Sequence, residues 1–252
     1  MTATVSRTRQ EAQPRLAGLL VRPALIAAGL LVLWWWARGQ SFDSIEARNV
    51  NGAVIGSQVL EHVELTLICT ALTIVIAIPL GIAVTLSRSR AGRLVVLSLG
   101  NLGQAIPSVG LIVLLALVIS IGVGTAVIAL VAYAVLPVLR NTMVGIEGVD
   151  PVLTEAARGM GLSRFAVLRT VELPLAVPVI LAGVRTALVL TVASAPLAAL
   201  IDGGGLGEGL FTGLSLNRPV VSVTFGVLVA ALALLADWLG LLAETLLRPK
   251  GI

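Results

Sequence analysis

An all-α bundle of about six membrane-spanning helices is what this sequence predicts, and three observations carry that expectation. Hydrophobic residues fill 58% of the 252 positions and charged residues only 12%, about half the charge of an ordinary soluble domain. Mean hydropathy is +1.05, and the apolar residues fall in runs long enough to cross a bilayer, which takes about 20 residues. Arginines gather between those runs, so the net charge of +4 reads as membrane orientation and not as a nucleic-acid footprint.

Taken in order, residues 1–15 form a polar tail with Arg7, Arg9 and Arg15, expected in the cytosol. A first span is expected over 16–37, with Arg22 snorkelling near its inner end and Trp34, Trp35 and Trp36 at the outer interface. This run ends in tryptophans instead of a small-residue cleavage site, so it reads as a retained helix and not as a signal peptide. Residues 38–60 read as a mixed polar external loop with room for a short surface helix. The second span covers 63–86, with Pro79 and Gly81 as kink sites, and the arginines 88, 90 and 93 behind it mark the cytosolic side. Residues 94–121 exceed the crossing length and are interrupted by Gly100, Gly103 and Pro107, which predicts a broken or tilted third span. Spans four, five and six follow at 123–139, 175–201 and 220–247, before a short basic tail at 248–252. Thirteen of the seventeen basic residues fall on the side of the termini; Arg38, Arg48 and Arg218 fall on the other, and Arg185 lies within a span. Both termini are therefore expected in the cytosol, with a transmembrane domain over 16–247.

Single residues exclude whole classes of chemistry. Cys69 is the sole cysteine and His62 the sole histidine, so neither an internal disulfide nor a multi-histidine or multi-cysteine metal site can form. Lys250 is the sole lysine and stands near the end of the sequence, which leaves no phosphate-binding G-x-x-x-x-G-K-[ST] loop. The sequence implies no cofactor bound by this chain, and if ATP drives it, another subunit hydrolyses the ATP. A serine hydrolase built on Ser163 or Ser215 with His62 is disfavoured, because the topology separates Ser163 from His62 and gives Ser215 no evident oxyanion donors.

One polar stretch, within 145–174, stands between spans four and five. Asp150 is a good N-cap and Pro151 suits the first helical position, so a short helix is expected from Pro151 to about Arg158. Gly159 and Gly161 tolerate positive φ and stop it. Ser163 can cap a second helix, Arg164 to about Glu172, with Pro174 where the chain turns into span five. Glu155 offers a charge and Ala156 and Ala157 little bulk, which suits a helix docking in another protein's groove.

The spacing Glu155-Ala156-Ala157, three residues, Gly161, nine residues, Val171-Glu172-Leu173-Pro174 resembles the EAA loop of ABC importer permeases, EAA-x3-G-x9-I-x-LP, with Val171 in place of Ile. The flanks Gln104-Ala105-Ile106-Pro107-Ser108, Leu136-Pro137-Val138-Leu139-Arg140-Asn141-Thr142 and Gly203-Gly204-Gly205-Leu206-Gly207 resemble the permeases that import glycine betaine, choline or carnitine. The resemblance covers about 61–247. It implies a permease subunit of an ATP-driven importer in a bacterial cytoplasmic membrane, whose coupling loop uses Glu155, Ala156, Ala157, Gly161, Leu173 and Pro174. It also implies a separate ABC ATPase that holds ATP and Mg, a second permease (identical or homologous) and an extracytoplasmic substrate-binding protein, with membrane lipid around the bundle and no nucleic acid. A permease for methionine or another small solute is the alternative, and a passive membrane channel a more distant one.

Gln104, Pro107, Ser108 and Tyr133 interrupt apolar surroundings and are candidates to line the translocation path. Spans two to five hold no Trp or Phe, so an aromatic cage for a quaternary ammonium ion belongs to the binding protein. Arg185 and Asp237 lie eleven residues from the inner ends of spans five and six, roughly 16 Å in, and are expected to form an intramembrane ion pair. Residues 202–209, DGGGLGEG, are expected to be a flexible external loop near the gate.

Overall fold

The computed structural model of the chain describes residues 16–87 and 89–247, and among them there is no strand. The expected tails at 1–15 and 248–252, with Arg88, lie outside the described residues. Helix α1 (Leu16–Arg38) leads to α2 (Ser44–Asn49), where Asp43 and Glu46 close a capping box. Helix α3 (Gly52–Leu86) is capped by Asn51 and starts eleven residues before the expected second span. The early start has a physical cause. Its polar positions read as loop, yet Gln58 Oε1 accepts from Gly209 N at 3.1 Å and Glu61 Oε2 from Gly205 N at 3.0 Å. These side chains are satisfied by another segment of the chain, so the helix keeps its polar turns.

The third span is broken as its glycines and proline predict: α4 (Arg90–Ala105) and α5 (Ser108–Val118) meet at 102° across Ile106 and Pro107. Helix α6 (Val123–Glu147) runs beyond the expected end at 139, which puts Arg140 inside a helix and not at a loop. Helix α7 (Pro151–Gly159) and α8 (Arg164–Val167) follow. The expected stop near Glu172 does not occur. A π-turn at Leu168–Glu172 joins α8 to α9 (Leu173–Ser194) without interruption, and Leu173 N–H bonds Leu168 O. The π-turn falls directly before Leu173 and Pro174, so that Pro174, with no N–H to donate, stands in the first turn of α9. A 3₁₀ stretch (Ala195–Ile201) continues the same rod.

Residues 202–209 are not the flexible loop expected. Asp202 is left-handed, Gly204 and Gly205 have positive φ, and the chain enters α10 (Leu206–Ser215) with Leu206, Gly207 and Gly209 buried. A Cβ on Gly209 would collide with the Phe225 ring, and one on Gly207 with the Pro196 carbonyl, so the glycines are there for contact. Helix α11 (Pro219–Leu247) closes the order. Five helical stretches among the described residues are long and apolar enough to cross a membrane, or six when bent α4–α5 counts as one span.

Helix α6 is the centre. Gly81 of α3 meets Thr142, Gly103 of α4 meets the Ala132 carbonyl, and Gly183 of α9 meets Asn141, where a Cβ would stand 2.6 Å from Asn141 Cβ. Small residues bring the backbones together where lipid gives no hydrophobic drive to pack. Buried residues such as Ala77, Ala134, Val138 and Ala187 fill the shared core of α3, α6 and α9. Helix α1 packs on α11 and has no buried residue among those described.

Candidate functional site

The segment bearing the EAA pattern stands at one end of the bundle. Asp150 accepts from Val152 N at 2.9 Å, and Pro151 fills the first turn of α7. The helix ends in a Schellman arrangement: Leu162 N–H reaches Ala157 O, Gly161 N–H reaches Arg158 O, and Gly161 has φ +87°. Gly159 stays helical, so only Gly161 supplies the left-handed residue. Ser163 then caps α8 through Ala166 N, and Arg164 donates to the Leu86 carbonyl at 2.7 Å, tying the turn to the end of α3.

Ala157 is buried under α7, whereas Glu155 and Ala156 face outward and Leu173 and Pro174 lie in the joined α8–α9 rod. The outward surface is apolar as well as charged: Val152, Met160 and Phe165 are 68%, 77% and 69% exposed. Large apolar groups left in water beside charges mark a contact surface.

Further into the bundle, α4 and α6 run antiparallel with polar ties along their seam. Arg93 grips Glu147 through two hydrogen bonds of 2.5 and 3.0 Å, Arg140 donates to Asn101 Oδ1 at 2.6 Å, and Gln104 Nε2 donates to the Tyr133 carbonyl at 3.3 Å. Gln104 and the Tyr133 carbonyl thus meet, while Pro107 lies in the break and Ser108 just past it. Arg140 and Asn101 belong to the same seam and were not among the sequence candidates. Arg140 looked like the end of a span.

Arg185 and Asp237 face each other across α9 and α11: Arg185 Nε donates to Asp237 Oδ1 at 2.7 Å. Two further charges join them. Arg22 of α1 reaches the other Asp237 oxygen at 2.5 Å, and Glu244 lies 3.5 Å from Arg185. The rule that an intramembrane charge needs a partner applies to Arg22 as much as to Arg185, and it was the available signal. A Cβ on Gly240 would stand 2.7 Å from Arg185 Cγ, so the glycine makes room for the guanidinium's stem.

At the end opposite α7, Glu61, Glu64, Asp202 and Glu208 border one cavity of about 300 Å³ with no basic residue in its wall. Burial first, then the charges of Glu61 and Asp202, push the Glu208 carboxyl above the usual carboxylate range. Nearby, His62 Nε2 donates to the Val192 carbonyl at 3.1 Å, which commits that nitrogen to packing α3 on α9.

Residues 77–248 match the family of binding-protein-dependent transport system inner membrane components. The chain belongs to this family. It is a permease subunit, a translocating and not a catalytic component, and a multi-pass protein of the cytoplasmic membrane. The glycine betaine/carnitine/choline transport system permease protein OpuCB of Bacillus subtilis is 38% identical to this permease over 202 residues, 80% of the chain and 92% of its own length. The osmoprotectant import permease protein OsmW of Salmonella typhimurium is 35% identical over 215 residues, 83% of the chain and 99% of its own length. Among solved structures, a chain of the MetNI methionine ABC transporter in an inward-facing form superposes with a TM-score of 0.68 over 77% of this permease and 96% of that chain. At 22% identity that likeness concerns the fold of the permease alone.

Proposed function

We propose that this permease is one of two that surround the pathway of an ATP-driven importer for small osmoprotectants of the glycine betaine, choline and carnitine class. Its α7–α8 segment docks, on the cytosolic side, in a groove of a separate ABC ATPase that holds ATP and Mg. Glu155, Ala156 and Gly161 belong to that contact, Ala157 packs beneath it, and Leu173 and Pro174 belong to its junction with α9. An extracytoplasmic protein binds the solute and delivers it to the opposite end, and both termini lie in the cytosol. The observation that carries this reading is the exposure of Val152 on α7, of Met160 at its end, and of Phe165 across the turn on α8, where the α8–α9 rod begins. A passive channel would leave these side chains without a partner. The osmoprotectant class is favoured over methionine because relatives above 30% identity transport the former by name, whereas the methionine transporter shares fold at 22%.

Affinity purification of the tagged chain from native membranes in mild detergent, followed by mass spectrometry and a ligand-shift screen of the co-purified binding protein, tests this. An ABC ATPase should co-purify from the wild type. Gly161→Asp should lose it by tenfold or more, and the binding protein should be stabilised by glycine betaine or choline. A stable complex without an ATPase would overturn the importer reading, and a binding protein stabilised only by methionine would replace the cargo. A Cβ at Gly161 meets nothing within 4 Å, so the damage in Gly161→Asp comes from the left-handed backbone and from the added charge at the docking face.

A further inference from the structure

Arg22, Arg140 and Arg185 lie six or more residues from the ends of their spanning helices, and their charges are balanced differently. Arg22 and Arg185 share Asp237, and Arg185 also has Glu244. Arg140 has no carboxylate partner among the described residues; its one hydrogen bond is to the neutral Asn101. It stands seven residues before Glu147, roughly 10 Å along α6 from that end. A guanidinium at such a depth without a counter-charge is expensive, and such residues mark functional sites by default.

Its direction follows from the packing. Helix α6 gives separate faces to α3, α4 and α9 through Thr142, Ala132 and Asn141. A stripe through Tyr133, Pro137, Arg140, Val144 and Glu147, none of them buried, runs at spacings of three and four residues along the α4 seam, where Gln104, Asn101 and Arg93 meet Tyr133, Arg140 and Glu147. Arg140 is exposed on this central helix, and it shares the seam with Gln104 and Tyr133, the candidates for the path. One amide acceptor occupies one terminal nitrogen of Arg140, which leaves the rest of the planar fork free for an anion.

We infer that Arg140 contacts the carboxylate of zwitterionic substrates in the translocation path, and so distinguishes glycine betaine and carnitine from choline. The inference rests on the osmoprotectant reading above. Glycine betaine and choline share a trimethylammonium group and differ at the other end, a carboxylate in one and a hydroxyl in the other. A guanidinium forms a charge-assisted pair with the first and only a neutral hydrogen bond with the second. A phospholipid headgroup could offer an anion of similar chemistry, and the experiment separates the two sources.

The test is uptake of radiolabelled glycine betaine, carnitine and choline into cells that lack other osmolyte importers and express the complete transporter, with Arg140→Gln and Arg140→Lys compared with wild type at equal membrane abundance. Arg140→Gln should lower glycine betaine and carnitine uptake about tenfold, the weight of one charge-assisted hydrogen bond, and leave choline within about twofold. Arg140→Lys should fall between. Equal loss of all three substrates, or loss of none, overturns the inference and leaves the osmoprotectant reading intact. In proteoliposomes, a shared loss that follows the anionic-lipid content assigns Arg140 to a headgroup and likewise overturns it. A wild-type transporter that moves none of the three overturns the osmoprotectant reading itself, and this inference with it.

Discussion

Asp237 is the residue on which most charge converges. It accepts from Arg22 of α1 and from Arg185 of α9 while standing on α11, so three helices meet at one carboxylate. Removing it strands Arg22 and leaves Arg185 only Glu244 at 3.5 Å, whereas removing Arg185 leaves Asp237 still paired with Arg22. Asp237→Ala should therefore destabilise the protein more than Arg185→Ala does, by about 1–3 kcal/mol for a charge left without its partner. The double variant should cost less than the sum of the singles. Thermal unfolding in detergent checks both statements, and a strictly additive pair of losses would show that the contact contributes nothing to stability. The sequence offered Arg185 and Asp237 to this site because each lies at the same depth in an apolar run. It withheld Glu244 and Arg22, since near a helix end a charge that reaches water and one that reaches a neighbour look alike in sequence.

At the level of elements, the long apolar runs and their punctuation were legible. The break at Pro107 and the turn at Gly161 follow from backbone chemistry that needs no tertiary context. What tertiary context decides was not legible. Gln58 read as loop and Glu61 fell outside the expected span because their partners, the backbone amides of Gly209 and Gly205, lie about 150 residues away. Pro174 read as a boundary because the π-turn before it has no sequence signal of its own. The glycines of α10 read as freedom, and they are contact surface. Gly209 is the sharpest case: its face lies against Phe225 of α11, so Gly209→Leu should force the two helices apart. Overpacking of this kind costs about 1–3 kcal/mol, which should appear as a lower melting temperature, while Gly226→Ala, with nothing closer than 3.9 Å to its Cβ, should behave like wild type.

For the whole molecule, the proposed orientation in the membrane can be tested with the chain's own residues. Cys69, the sole cysteine, is fully buried in α3, so the native protein should resist a membrane-impermeant maleimide. Met160, next to Gly161, is among the most exposed side chains. Met160→Cys should be labelled in inside-out vesicles and spared in intact cells if the docking segment lies in the cytosol. Labelling in intact cells would invert the proposed topology and remove the ATPase from its place.

The uninterrupted rod from Arg164 to Ile201 spans 38 residues, or roughly 55 Å. Almost at its midpoint, Gly183 lies against Asn141 of the central helix. That contact divides it into two arms of nearly equal length, like a beam resting on a fulcrum. A tilt of about 4° about Gly183 would move each tip by roughly 2 Å in opposite directions, given the helix length. A push on α8 would then reach the glycine-lined turn at Asp202 reversed in sense, after passing the π-turn at Leu168–Glu172 and the 3₁₀ stretch at Ala195–Ile201.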